Sequence, residues 1–395
     1  MVPMGQIWSV KMAKKKELEN LVSKSIADFK DELKDFEFEI LNEDSNDDDD
    51  IPYIIPFKNE SLQFITGGIL GGKFMEISGE SQSGKSYLLY QAIASCQEMG
   101  GRALLIDIER ASTNTILKNC GIKFDGTIAI SHERDMTSVF GLMLKFIKAI
   151  REKEKEQKVK TITPILIGLD SFPALQIPLA MEEYEKGKEI KGYAAMQKNA
   201  KFSQLIEKFV GDLADYGATL VMINQTQIDR TILFGDNIKS KGEDVIKFWC
   251  TQRLRGKFVK KLVKEVDSAE RKTGTKIQVG VKAEWTGIKN RFTAPFQKAY
   301  TYTLFDKGMD RFKGFEENLV TSGRISLGKA KVDKDGNKSR KELTTLILPD
   351  GQIFYSVRDL IKEIPDITKP IMVGDVDGGD FSEEDSDSDI DDAQV

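Results

Sequence analysis

From about residue 62 to residue 300, short apolar runs alternate with stretches of helical periodicity. The runs at 73–78 (KFMEIS), 103–108 (ALLIDI), 127–131 (TIAIS), 164–170 (PILIGLD) and 219–224 (TLVMIN) are mostly apolar throughout. Strands buried on both faces have this pattern, whereas a strand with one wet face alternates. Between 87 and 99, Leu88, Leu89, Ala92, Ile93, Cys96 and Met99 share one side of a helix. Strand–helix alternation predicts an α/β fold with a mostly parallel central sheet flanked by helices. A second β-rich set is predicted at 276–284, 300–305 and 342–348. Residues 311–370 mix helix and strand around Asp335, Gly336 and Asn337, which predicts a small C-terminal α/β lobe.

The first fifty residues have a different pattern. Leu18, Leu21, Val22, Ile26, Phe29 and Leu33 recur at helical spacing and predict a short N-terminal helix over 13–35. The run NEDSNDDDD at 42–50 is an acidic linker, because its like charges repel and nothing in it can pack. A short isolated helix is marginal alone, so it is expected to dock, on its own body or as an oligomerisation helix on a neighbouring subunit. The organisation read from the chain is therefore 1–50 helix and linker, 51–310 core, 311–370 lobe, and 371–395 a disordered acidic tail.

Charge sharpens this division. The 395 residues carry a formal net charge of -5. Residues 371–395 hold ten Asp and Glu and no Lys or Arg, and residues 35–50 hold nine and none. The body between them is strongly basic, the footprint of a polyanion binder. The tail is expected to compete with that polyanion or to recruit partner proteins. Cys96, Cys120 and Cys250 lie too far apart in sequence for a disulfide framework or a zinc spacing. A single histidine, His132, excludes a multi-His metal site and is read as a loop residue. No apolar run approaches the ~18 residues that cross a membrane, and a soluble intracellular protein is expected.

The chemistry begins at Gly79-Glu80-Ser81-Gln82-Ser83-Gly84-Lys85-Ser86, with Tyr87 following. This is the phosphate-binding pattern G-x-x-x-x-G-K-[ST], placed after an apolar strand and opening an amphipathic helix. Its glycines expose backbone N–H groups, Lys85 is expected to reach the β/γ-phosphates of a nucleotide, and the Ser86 hydroxyl to bind Mg²⁺. The helix N-terminus favours the same anion. Asp170 ends a buried strand and supplies the second metal ligand at the sheet edge where ligands bind. Glu109 follows the strand at 103–108 and is expected to orient or deprotonate the attacking water. Gln225, after the strand at 219–224, is placed to sense the γ-phosphate.

In this order the motifs GESQSGKS, IDIER, ILIGLDS and INQ resemble the RecA family of strand-exchange recombinases, in a divergent, phage-like form. The segment Gly287-Ile288-Lys289-Asn290-Arg291-Phe292-Thr293-Ala294-Pro295-Phe296 is similar to the family's K-N-K-x-A-A-P-F. The resemblance covers about residues 60–300 and implies a RecA-type P-loop ATPase core. It further implies a DNA-dependent ATPase that forms helical filaments on single-stranded DNA and pairs it with homologous duplex DNA. In that family the two basic residues reach the neighbouring subunit's ATP, a role that falls here on Lys289 and Arg291. The cytoplasm of a bacterial host cell is the implied location. Segments 172–193 and 226–242 resemble the family's two mobile DNA-binding loops. The second holds Arg230, Lys239 and Lys241 for phosphates, and Ile232, Leu233, Phe234 and Gly235 for base contact. Lys198 and Lys201 are the nearest cations after the first. Thr113 and Ile116 stand where the family's adenine contacts differ, so base recognition departs from its pattern. A RecA-fold helicase, an ATP-gated DNA scaffold and a small-molecule kinase share parts of this motif set and are the alternative readings.

Overall fold

The computed structural model describes residues 51–177, 194–231, 235–268, 271–332 and 338–372, all within one unit spanning Asp50–Val395. The expected helix at 13–35, the linker at 42–50, the greater part of 172–193, Ile232 to Phe234, the turn at 335–337 and the acidic tail lie outside them.

A small antiparallel pair, β1 (Ile54–Ile55) and β2 (Ile69–Leu70), flanks α1 (Glu60–Thr66). The sheet proper begins with β3 (Phe74–Gly79), and α2 (Lys85–Glu98) leads to β4 (Arg102–Asp107). Then come α3 (Asn114–Asn119), β5 (Ile128–Ser131), α4 (Met136–Glu156) and β6 (Ile165–Asp170). After α5 (Ala194–Asp215) and β7 (Ala218–Ile223), the short strands β8 (Thr226–Ile228) and β9 (Ile238–Ser240) precede α6 (Glu243–Trp249). Two long strands follow, β10 (Gln252–Ser268) and β11 (Arg271–Asn290), then β12 (Lys298–Leu304) and β13 (Gly308–Met309). The last described elements are α7 (Phe315–Thr321), β14 (Ser326–Val332), β15 (Lys338–Ile347), β16 (Ile353–Phe354) and α8 (Val357–Glu363).

One nine-stranded sheet orders these as β13-β12-β11-β10-β3-β7-β6-β4-β5. From β10 to β5 every pairing is parallel, and from β10 outward to β13 every pairing is antiparallel. All five expected strands of the parallel region are present, with no end shifted by more than one residue. Apolar side chains on the two faces form two clusters. One packs α1, α2 and Trp285 together; the other packs α4 and α5 through Phe140, Phe202 and Phe209. The approach of α2 to the sheet explains Gly168, where a Cβ would sit 2.8 Å from the Leu89 side chain. Within 311–370, β14, β15 and β16 form a separate three-stranded sheet, while Phe315, Leu346, Phe354 and Leu360 join the first cluster.

Strand β10 was not anticipated from the sequence. Only Gln252–Gly256 pair with β3, and only Gly280–Thr286 of β11 pair with β12. Beyond those points the two strands pair with each other alone, as far as Ser268 opposite Arg271. The result is a two-stranded arm with Lys257, Lys260, Lys261 and Lys264 exposed, and with Val263 exposed beside them. With water on both sides, this stretch has no buried face to impose an apolar period.

Inside the sheet, Arg253 of β10 is 5% exposed and Glu76 of β3 is 0% exposed. Arg253 Nε donates to Glu76 Oε2 at 2.7 Å, and an Nη of Arg253 donates to Glu243 Oε1 at 2.7 Å and Ser240 Oγ at 3.2 Å. Asn224 Nδ2 donates to Glu76 Oε1 at 2.7 Å and to the Lys241 carbonyl at 2.8 Å. A buried ion pair broken on one side leaves an uncompensated charge. Arg253→Met is therefore expected to cost about 3–5 kcal/mol in urea unfolding, and adding Glu76→Leu should recover much of that loss.

Candidate nucleotide site and nucleic-acid interface

The phosphate loop is shaped by what lies beside it. Gly79 ends β3 at φ 150, and a Cβ there would sit 2.2 Å from the Gly256 carbonyl oxygen of β10. Only glycine lets the chain leave the sheet this close to its neighbour. Gly84, at φ 93, starts α2 with no side-chain cap, so the first amides of the helix remain free for an anion. Ser83 Oγ donates to the Glu80 carbonyl at 2.9 Å, and Glu80 Oε2 accepts from Phe258 N at 3.0 Å. These two residues brace the loop, and the cavity is lined by Gly79, Ser81, Gln82, Gly84, Lys85, Ser86 and Tyr87.

That cavity, of about 510 Å³, also reaches Glu109, Asp170, Ser171 and Gln225. Five side chains with expected chemistry, those of Lys85, Ser86, Glu109, Asp170 and Gln225, therefore meet in one place. Lys85 Nζ donates to the carbonyls of Gly79 at 3.0 Å and Glu80 at 2.6 Å. Burial lowers its pKa, while the carboxylates of Asp170, Glu109 and Glu80 act in the opposite sense. Asp170 ends β6 and is 4% exposed. Burial pushes its carboxyl up to about 6, with Glu109 and Asp107 adding to the shift and the Ser86 hydroxyl and Lys85 opposing it. Its Oδ2 is buried without a hydrogen-bond partner. A hydroxyl and an unpartnered carboxylate oxygen at the mouth of a phosphate loop are hard donors of the kind Mg²⁺ takes. Among the described residues no group of three or more His, Cys, Asp or Glu could hold a metal ion.

Glu109 lies just past β4, where its Oε1 accepts from Ser171 Oγ. The loop that presents it is folded by Asp107, whose carboxylate accepts from the amides of Ala111 at 3.2 Å and Ser112 at 3.1 Å, and from the Ser112 hydroxyl. Asp107 was missed in the sequence, although a carboxylate inside the apolar run ALLIDI was its signal. His132 is confined to a structural contact, one ring nitrogen lying 2.7 Å from the Asp107 carbonyl oxygen.

Lys289 and Arg291 do not line the cavity. Lys289 Nζ donates to the Lys247 carbonyl at 2.7 Å, near the C-terminus of α6. Burial and the neighbouring Arg291 both lower its pKa. Arg291 is exposed. The turn that carries it is held by Asn290, which donates to the Thr66 carbonyl at 3.0 Å and accepts from the amides of Phe292 and Thr293.

The expected second DNA loop contains secondary structure. β8 and β9 pair as a hairpin, with Gly235 in the connection at φ 81. Arg230 is exposed there. Lys239 is committed to Asp229, 2.8 Å away, and that hydrogen-bonded ion pair raises its pKa. Lys241 Nζ donates to Gln225 Oε1 at 3.2 Å, linking this segment to the cavity. Ile228, 68% exposed, is an apolar candidate the sequence reading passed over. Lys198 on α5 donates to the Pro173 carbonyl at 2.8 Å and stands 5.1 Å from the Phe172 ring centroid. It holds the root of the first segment, and burial, with Lys241 nearby, lowers its pKa to about 8.

The family model for the RecA N-terminal domain matches residues 60–310. The chain is 28% identical to Protein RecA of Thermotoga maritima over 289 residues, 72% of this chain and 70% of that protein. It is 24% identical to Protein RecA of a Mycobacterium species (strain KMS) over 313 residues, 78% of this chain and 82% of that one. Against Protein RecA of Leptospira biflexa the identity is 23% over 301 residues, 75% and 70% of the two chains.

A lysine whose folded pKa is depressed gives up its proton in the folded state first. Stability therefore rises as pH climbs from about 8 toward the ordinary lysine value of 10.5. The urea midpoint of the native protein should increase across that window relative to Lys198→Met, and parallel curves for the two would contradict the assignment.

Proposed function

The chain belongs to the RecA family, and from that premise we propose that it is an ATP-dependent DNA recombinase. On this reading it assembles as helical filaments on single-stranded DNA and catalyses homologous pairing and strand exchange. The observation that carries the proposal is a divided site. Lys85, Ser86, Glu109, Asp170 and Gln225 share one cavity, while Lys289 and Arg291 stand outside it on a separate turn.

Bound Mg-ATP supplies the scissile anhydride and a cation that neutralises its charge. The chain's own groups do the rest. Free amides at the start of α2 and the Lys85 ammonium hold phosphate, and Ser86 with Asp170 holds the metal. Glu109, kept in place by Ser171 and the Asp107-folded loop, orients the attacking water and accepts its proton. Lys289 and Arg291 serve a neighbouring subunit's cavity, where positive charge favours the transferring phosphoryl group. A single subunit then hydrolyses slowly, and assembly on DNA completes the site. Anything that binds the assembled state favours it, so ATP and DNA reinforce each other.

Gln225 connects the cavity to DNA through Lys241 and the β8–β9 hairpin. Arg230 and Lys241 meet the phosphates of a single strand, and exposed apolar groups of the hairpin, Ile228 among them, meet its bases. Among the described residues no helix is long and apolar enough to cross a membrane.

Two outcomes are expected. ATP turnover should rise at least about 10-fold on adding single-stranded DNA, with filaments in electron micrographs; equal turnover with and without DNA, or rings alone, contradicts the reading. Glu109→Gln should lower DNA-stimulated turnover by about 10²-fold or more while nucleotide binding persists. Unchanged turnover removes Glu109 from the chemistry.

A further inference from the structure

β10 carries two arginines two residues apart, on one face of the strand, and both reach the returning half of the β8–β9 hairpin. Arg253, the inner one, is buried with Glu76 and Glu243 and holds Ser240. Arg255, the outer one, lies where β10 passes the phosphate loop, the next residue, Gly256, being paired with Gly79. One Nη of Arg255 donates to Asp236 Oδ2 and the other to the Ile238 carbonyl at 2.8 Å. The two partners of this ion pair differ in exposure: the Arg255 side chain is 16% exposed and that of Asp236 59%. Arg255 Nε is buried with no hydrogen-bond partner. The contact therefore leaves one guanidinium donor unsatisfied, which is costly away from water. Its anion, in turn, is one that water and salt reach. The other Asp236 oxygen accepts from Ile238 N at 3.1 Å and shapes the turn after Gly235.

We propose that Arg255 is a ligand for a backbone phosphate of single-stranded DNA and that Asp236 is its built-in competitor. Phosphate takes the guanidinium, the Asp236 carboxylate is released to water, and the segment from Asp236 to Ile238 comes away from β10. Arg253 keeps its partners, because both of its carboxylates are shielded, so Ser240 remains a fixed root for the movement. This rests on the reading of the hairpin as a DNA segment. It adds a cation that stands on a sheet strand, outside the loop where the sequence placed the phosphate contacts. Arginine takes carboxylate and phosphate with the same planar fork. What favours phosphate is that the strand is already held at Arg230 and Lys241, so its next phosphate arrives at high local concentration.

Binding of a short oligothymidylate, followed by fluorescence anisotropy over a series of salt concentrations, tests the exchange. Asp236→Asn keeps an acceptor for Ile238 N and removes the competing charge, so it should bind about 3- to 5-fold more tightly than wild type. Arg255→Gln should bind more weakly, and its slope of log K against log salt should shrink by about 0.7, the share of one single-strand phosphate. In the double variant the gain from Asp236→Asn should vanish. A gain of the same size without Arg255 shows that Asp236 merely repels DNA and overturns the exchange, as does unchanged affinity in Asp236→Asn. Neither residue lines the nucleotide cavity, so both variants should bind a non-hydrolysable ATP analogue as wild type does. If Arg255→Gln fails that control, Asp236→Asn, at an exposed position, decides alone. Wild-type protein that binds no oligothymidylate at any salt contradicts the recombinase reading and the masked site with it, whereas binding without the Asp236→Asn gain contradicts the masked site only.

Discussion

A carboxylate buried in the centre of a sheet must be paired, and here that requirement joins regions that are distant in sequence. Glu76 sits on the strand that leads into the phosphate loop. Its two oxygens are taken by Arg253 of β10 and by Asn224 at the end of β7. Arg253 continues to Glu243 and Ser240, and Asn224 to the Lys241 carbonyl. The β8–β9 hairpin is thereby fixed at both roots to the strand that positions phosphate. Removing Arg253 strands the Glu76 charge in a medium that solvates it poorly. The phosphate loop and the β8–β9 hairpin are therefore held in register with each other.

Much of the parallel sheet was legible in the sequence because strands covered on both faces are apolar runs, and five of them were found. The nucleotide site was legible for a related reason: its residues come one per strand end, at a single edge, so chain order translates into proximity. Lys85, Ser86, Glu109, Asp170 and Gln225 meet as expected from that rule. The pairing of side chains was not legible. Nothing in the local sequence announces that Lys239 is spent on Asp229, or that Lys198 is drawn into a contact with Phe172 and the Pro173 carbonyl. Both are cations in a basic segment, and only the fold shows that one is neutralised and the other half-buried. β10 escaped for a different reason, since its outer half is an exposed ribbon with lysines on it.

Charge acquires a location in the structure. The net value of -5 conceals a basic body and an acidic C-terminal segment with ten carboxylates, and the last described residue, Met372, is bridged to Thr293.

The most direct test of a site shared between subunits uses two inactive proteins. Glu109→Gln subunits keep their cations, and Lys289→Ala/Arg291→Ala subunits keep their cavity chemistry, so each alone should turn over ATP poorly on single-stranded DNA. Mixed in equal amounts, about one interface in four unites an intact cavity with intact cations, and turnover should recover toward that fraction of wild type. A mixture no more active than the two proteins measured separately would contradict the shared site.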